Sequence, residues 1–205
     1  MRNLLKTVPN QMTAARLVLI PVMWVLVWFK LPVYIGIGVF LSFMTDVLDG
    51  LIARKLNQVS EFGGKFDSLA DNLLLPSALV WLWLFQPAIY AENFLICAIA
   101  ITLYFASLFL GAIKFKRFAN LHLYASKAAS VAMYLFASYS LIMDRYNQVF
   151  FYVAAIMFLI SCTDNLLLQL VCNEINDHMG SVLLVWQQRK SRPPVSSYGN
   201  TERHP

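Results

Sequence analysis

A chain of 205 residues that is 59% hydrophobic and only 13% charged is too apolar for a soluble domain, in which about 25% of residues carry charge. Its mean hydropathy of +0.61 comes from repeated apolar runs of bilayer-crossing length, about 20 residues each. The net charge of +5 is accounted for by basic residues near the ends of those runs, so nucleic acid is not an expected partner.

In chain order the pattern predicts an all-α, polytopic integral membrane protein with six transmembrane helices, at about 12–30, 33–55, 66–86, 92–113, 124–143 and 148–172. Met1 to Gln11 is polar and basic, and the run after it is long enough to span, so no cleavable signal peptide is expected. Pro9-Asn10 reads as a break ahead of the first helix and Thr13 as its cap or start. Arg16 falls one turn inside the interface, where it is either a snorkelling anchor or a contact for a phosphate. Turn signals follow at Lys30-Leu31-Pro32, Gly63-Gly64, Gln86-Pro87 and Asp144 to Gln148. Residues 1–178 form one membrane domain; in 179–205 a short apolar stretch, Met179 to Trp186, precedes a basic tail expected to be disordered.

Fourteen of the 16 Lys and Arg residues fall on one side of these spans, with only Lys30 and Arg145 opposite. The positive-inside bias then puts both termini in the cytoplasm. Lys114, Lys116, Arg117 and Lys127 can also attract anionic head groups. Cys97, Cys162 and Cys172 sit in apolar stretches without a CxxC pattern and read as small buried hydrophobes. The three histidines are scattered and receive no role.

The informative stretch runs from Asp46 to Asp71. It reads Asp46-Val47-Leu48-Asp49-Gly50-Leu51-Ile52-Ala53-Arg54, then eight residues, then Gly63, Asp67 and Asp71. Carboxylates at membrane depth are costly and need a compensating positive charge. Asp46 and Asp49 are three apart and Asp67 and Asp71 four apart, so each pair shares one helix face. Antiparallel packing of the two helices would converge all four on one site. Oxygen-only ligands suit a hard cation such as Mg²⁺ or Mn²⁺ rather than zinc. Gly50 and Ala53 lie along nearly the same face, where small side chains either admit a flat ligand close to the backbone or let a second helix pack tightly. Arg54 is a topology residue or a phosphate contact, and Gly63 most simply permits the turn between helices. A structural ion or a proton relay in a transporter is the competing account of the acidic cluster. It gives no reason for Gly50, Ala53, Arg54 and Gly63 at these intervals.

The pattern D-x2-D-G-x2-A-R-x8-G-x3-D-x3-D resembles the signature of the CDP-alcohol phosphotransferase (CDP-alcohol phosphatidyltransferase) family at all eight specified positions. Chance would produce such a match with odds on the order of 10⁻⁸. The resemblance implies a six-helix membrane fold, a homodimer and a site with two Mg²⁺ or Mn²⁺ ions. It implies transfer of a substituted phosphate from a CDP-linked donor to an alcohol, with release of CMP. Asp46, Asp49, Asp67 and Asp71 would be metal ligands, with Asp71 also the general base on the acceptor hydroxyl. Gly50, Ala53, Arg54 and Gly63 would bind the nucleotide donor.

Pro9-Asn10-Gln11-Met12-Thr13-Ala14-Ala15-Arg16 is similar to the P-N-x-x-T-x-x-R start of phosphatidylglycerophosphate and cardiolipin synthases, which use CDP-diacylglycerol. Ser126-Lys127-Ala128-Ala129-Ser130 resembles the (G/S)-K-x-x-(T/S) opening of the fifth helix in relatives, where Lys127 would meet the acceptor's phosphate. Asp67-Ser68-Leu69-Ala70-Asp71-Asn72 departs from the usual D-P-x-A-D-K at Ser68 and Asn72. Glycerol 3-phosphate is the leading acceptor, with Lys127 and Arg16 as contacts; phosphatidylglycerol comes next, then serine or inositol phosphate. The implied location is a bacterial inner membrane, with the site facing the cytoplasm. Asp164, in the sixth span, receives no firm role; a pairing with Asn165 of another subunit is one option.

Overall fold

The computed structural model describes residues 8–55, 61–115 and 124–171. Among these the structure is all-helical: α1 (Val8–Trp28), α2 (Pro32–Lys55), α3 (Glu61–Phe85), a short α4 (Pro87–Glu92), α5 (Phe94–Phe115), α6 (Tyr124–Met143) and α7 (Gln148–Val171). The expected boundary at 178, the segment Met179 to Trp186 and the basic tail lie outside the described residues.

Five helices are long and apolar enough to cross a membrane, within Asn10–Trp28, Pro32–Ile52, Phe66–Phe85, Phe94–Lys114 and Gln148–Leu170. The remaining expected span, α6, has 20 residues, but nine of them are Ala or Ser, which lowers its apolarity without shortening it. Trp28, Leu95, Phe109, Ile113 and Val149 are among the large apolar side chains left on the outside, as a lipid-facing surface requires.

Three local expectations are corrected. The first helix begins at Val8 rather than 12: Pro9 sits in its first turn, where backbone N–H groups have no helical partner and a proline costs little. Thr13 is therefore inside the helix rather than at its start. Gly63 and Gly64 do not make the turn after α2; they lie in the first turns of α3, and no described glycine has a positive φ. Residues 56–60, which connect α2 to α3, lie outside the described residues. Finally, Gln86-Pro87 does not open a plain loop: Pro87 is the first residue of α4, which fills the connection between α3 and α5.

The reversals at the other end are well fastened. Lys30 takes φ 52° after α1, with its N–H on the Val27 carbonyl at 3.0 Å and the Leu31 N–H on Leu26 at 3.2 Å. This left-handed cap satisfies the last carbonyls of the helix. Gln86 Nε2 donates to Asp144 Oδ1 at 2.9 Å, and the Tyr146 hydroxyl donates to Glu92, so the connections α3–α4, α4–α5 and α6–α7 are tied together.

α1 packs against both α2 and α3, α6 against α2, α3 and α7, and α7 also against α5. The centre of this bundle holds Ile35, Val39, Trp81, Phe136 and Leu141, all essentially inaccessible. The approach of α2 to α6 is set by Gly36: a Cβ there would lie 2.8 Å from Ile142 Cγ1, 3.0 Å from Leu141 Cβ and 3.1 Å from the Ser138 carbonyl oxygen. Gly38 faces only the flexible end of Met23, with Sδ at 2.6 Å from such a Cβ. Gly36→Ala is expected to cost about 1–3 kcal/mol through overpacking against a backbone atom that cannot yield. Gly38→Ala should cost less, because a thioether can swing aside. Thermal unfolding of the two variants in detergent checks the order; equal shifts would contradict it.

Candidate functional site

The antiparallel α2–α3 pair does bring the four aspartates together, and α1 supplies what holds them. Asn10, Thr13 and Arg16 recur at three-residue intervals on α1 and are all buried, a polar stripe in an otherwise apolar helix. Arg16, only 1% exposed, reaches between the other two helices. Its Nη1 donates to Asp46 Oδ1 at 2.7 Å and to Asp71 Oδ1 at 3.3 Å. Its Nη2 donates to Asp49 Oδ2 at 2.7 Å and to Asp67 Oδ1 at 2.6 Å. Thr13 Oγ1 adds a longer bond to Asp49 Oδ2 at 3.4 Å. Arg16 is thus neither a snorkelling anchor nor set apart from the acidic group: its planar fork meets all four carboxylates.

The charges do not balance. One guanidinium against four carboxylates leaves a formal excess of three negative charges at a partly buried site. Asp49 is 8% exposed, while Asp46, Asp67 and Asp71 are 27–33% exposed and so open to a further cation. One carboxylate oxygen each from Asp46, Asp49 and Asp67 lies within 4.8 Å of the others. Three convergent hard oxygen donors that already attract a guanidinium suit Mg²⁺ or Mn²⁺ in kind and in charge. Asp71 stands outside that group of three but shares Arg16 with it.

These carboxylates form one wall of a cavity of about 360 Å³, lined also by Gly50, Ser68, Tyr104, Lys127 and Tyr134. A Cβ built on Gly50 would meet nothing within 4 Å. Ala53 and Arg54 continue α2 by one turn, Gly63 is half-buried near the start of α3, and the side chains of Ala53 and Arg54 lie outside the described residues. Lys127 is exposed on α6 and lines the same cavity as the aspartates.

A second polar set, of which Ser161 and Asn165 line the cavity, escaped the sequence reading. Ser161, Asn165 and Gln169 fall at four-residue intervals on α7, one polar stripe down an apolar helix. Asn165 Nδ2 and Ser161 Oγ both bond Ser126 Oγ at 3.0 Å, and Gln169 Nε2 donates to Ser107 Oγ at 3.3 Å. The period was there to be read; the eye stops at the neighbouring charge instead. Asp164 is not among the residues that line the cavity, whereas Asn165 is, with its Nδ2 bonded to Ser126 of its own chain.

Among the described residues, removing Arg16 leaves the four carboxylates facing one another without an ion-pair partner. Without divalent metal, Arg16→Met is therefore expected to destabilise the protein by about 3–5 kcal/mol. Adding Mn²⁺ should recover much of that loss, because a bound cation replaces the missing charge. Melting temperatures with EDTA and with Mn²⁺ test this; a variant as stable as wild type in EDTA would show that the four ion pairs contribute little.

The geometry agrees with what the chain is similar to. The family model for CDP-alcohol phosphatidyltransferase matches residues 6–163. A protein of Rickettsia typhi named CDP-diacylglycerol–glycerol-3-phosphate 3-phosphatidyltransferase is 38% identical over 81 residues, 38% of this chain and 46% of that protein. The Bacillus subtilis protein of the same name is 39% identical over 95 residues, covering 39% of this chain and 49% of its own length. A Drosophila melanogaster protein named "Probable cardiolipin synthase (CMP-forming)" is 34% identical over 107 residues, 47% of this chain and 33% of that one. The chain therefore spans about half the length, or less, of the curated relatives it matches. With the family model covering most of the chain and the acidic signature folded into one site, the chain belongs to the CDP-alcohol phosphatidyltransferase family.

Proposed function

We propose that this protein transfers the phosphatidyl group of CDP-diacylglycerol to glycerol 3-phosphate, forming phosphatidylglycerophosphate and releasing CMP. The observation that carries the reading is the convergence of Asp46, Asp49, Asp67 and Asp71 on one wall of a cavity that also holds Lys127. The names of the bacterial relatives support glycerol 3-phosphate as acceptor. The Drosophila relative's name favours phosphatidylglycerol as the second candidate.

Each residue has a task in such a transfer. Asp46, Asp49 and Asp67 would hold one divalent cation, and Asp71 would share in a second. Bound there, two Mg²⁺ or Mn²⁺ ions supply positive charge for the donor's pyrophosphate and for the leaving CMP. Asp71 accepts the proton of the acceptor hydroxyl as its oxygen bonds to the phosphatidyl phosphorus and the bond from that phosphorus to the CMP oxygen breaks. Gly50, with open space before it, lets the cytidine end of the donor lie close to α2, with Ala53, Arg54 and Gly63 near it. Lys127 meets the acceptor's phosphate as a point charge. Arg16 keeps the carboxylates from repelling one another and orients them, which makes it a positioning residue more than an acceptor contact. The apolar outer face suits a donor whose acyl chains remain in the bilayer. Six spans, cytoplasmic termini, a site open to the cytoplasm and a homodimer complete the proposal.

CMP release by purified protein, with CDP-diacylglycerol, Mn²⁺ or Mg²⁺ and one acceptor at a time, tests the reading. Glycerol 3-phosphate should support turnover, and EDTA or Asp71→Asn should remove it. Asp67→Asn is expected to lower turnover by about 10²-fold or more, with little change in melting temperature. Lys127→Ala should raise the acceptor KM about tenfold and leave the donor KM alone, the loss expected for one charge-assisted bond. No CMP with any acceptor would overturn the assignment; an unchanged acceptor KM would take Lys127 out of the acceptor site.

A further inference from the structure

Besides the carboxylates, the lining of the cavity carries a set of uncharged polar side chains, Ser126 and Ser130 of α6, on either side of Lys127, and Ser161 and Asn165 of α7. Asn165 is 91% buried and is held by its Nδ2, which donates to Ser126 Oγ at 3.0 Å. Its Oδ1 has no hydrogen-bond partner and no contact with solvent. An orphaned buried carbonyl oxygen is costly, and a structure that retains one beside a cavity gains when a donor arrives. Asn165 is a lining residue of the cavity, and its terminal amide torsion is soft. The chemistry of the donor follows from the neighbours. The one cation beside these groups, Lys127, is taken by the acceptor's phosphate in the proposed transfer, so the partner left for the amide oxygen is an uncharged donor. A lone amide oxygen among serine hydroxyls suits a neutral O–H that can both donate and accept.

We propose that Asn165, with Ser126 and Ser161, forms a subsite for a free hydroxyl of the acceptor alcohol, one that does not attack phosphorus, and so selects a polyol over a simple alcohol. The subsite rests on the phosphatidyl-transfer reading and adds to it a reason for acceptor choice. In glycerol 3-phosphate the group concerned is the middle hydroxyl. Asn165 is a specificity residue here and has no part in proton transfer.

The test compares glycerol 3-phosphate with 3-hydroxypropyl phosphate, which keeps the attacking hydroxyl and the phosphate but lacks the middle hydroxyl. In wild type kcat/KM should favour glycerol 3-phosphate about ten- to hundredfold, because the analogue leaves a buried acceptor unpaired. In Asn165→Leu, or Asn165→Ala if the former does not fold, that ratio should fall toward one, whatever the absolute rate. A merely structural role would lower both acceptors alike and leave the ratio standing, which would overturn the subsite. So would a wild-type protein that uses both acceptors within about threefold, a result that needs no variant and leaves the transfer reading intact. If wild type releases no CMP with either acceptor, the transfer reading fails, and the subsite fails with it.

Discussion

Everything about this bundle follows from placing one guanidinium among four carboxylates at membrane depth. Attraction between opposite charges is strong where water is scarce, but so is the cost of removing each charge from water, and such a cluster persists only when its hydrogen bonds are well made. Arg16 makes four. That requirement determines which helices touch. α1 must lie against α2 and α3 together, with its polar stripe turned inward, and α6 closes the other side of the same pair. The balance is deliberately incomplete in chemical terms: the surplus negative charge keeps the site receptive to a divalent cation, whereas a neutral cluster would be a finished structural element.

The relation between α6 and the cavity shows how sequence, packing and chemistry share one cause. Ala and Ser make up nearly half of α6. Small side chains leave room. Ser126, Ala129 and Ser130 line the cavity on one face of the helix, while larger residues such as Phe136 and Leu141 fill the bundle further along. The helix is thus packed at one end and hollowed at the other, and two of its four serines, Ser126 and Ser130, give the cavity hydroxyl groups.

Much of this was legible in the residues. The spacing of Asp46, Asp49, Asp67 and Asp71 carries their convergence, because helix periodicity places each pair on one face and a short connection makes the helices antiparallel. The apolar runs locate the long helices to within a few residues. What was not legible depends on three-dimensional proximity. The carboxylates plainly needed a cation, yet nothing in one dimension says that Arg16, thirty residues before Asp46, is the one that supplies it. Gly63 was misread because a glycine near a connection suggests a turn, while helix α3 simply starts earlier and absorbs it. Asn165 was passed over beside the more conspicuous Asp164, although the stripe of Ser161, Asn165 and Gln169 has a helical period that can be counted.

The position of Arg16 on the first helix also bears on how the protein is made. A membrane chain is inserted from its N-terminus onward, and an arginine near the centre of an isolated helix costs about 2.5–3.5 kcal/mol on an insertion scale. α1 therefore enters the bilayer carrying a charge whose partners are 30 to 55 residues away in the chain. Aspartates on α2 and α3 arrive with the opposite liability. Neither half is comfortable in lipid until both are present, so docking of α1 onto the α2–α3 pair belongs to biogenesis itself, and the residues of the site act as the clasp that closes the N-terminal half of the bundle.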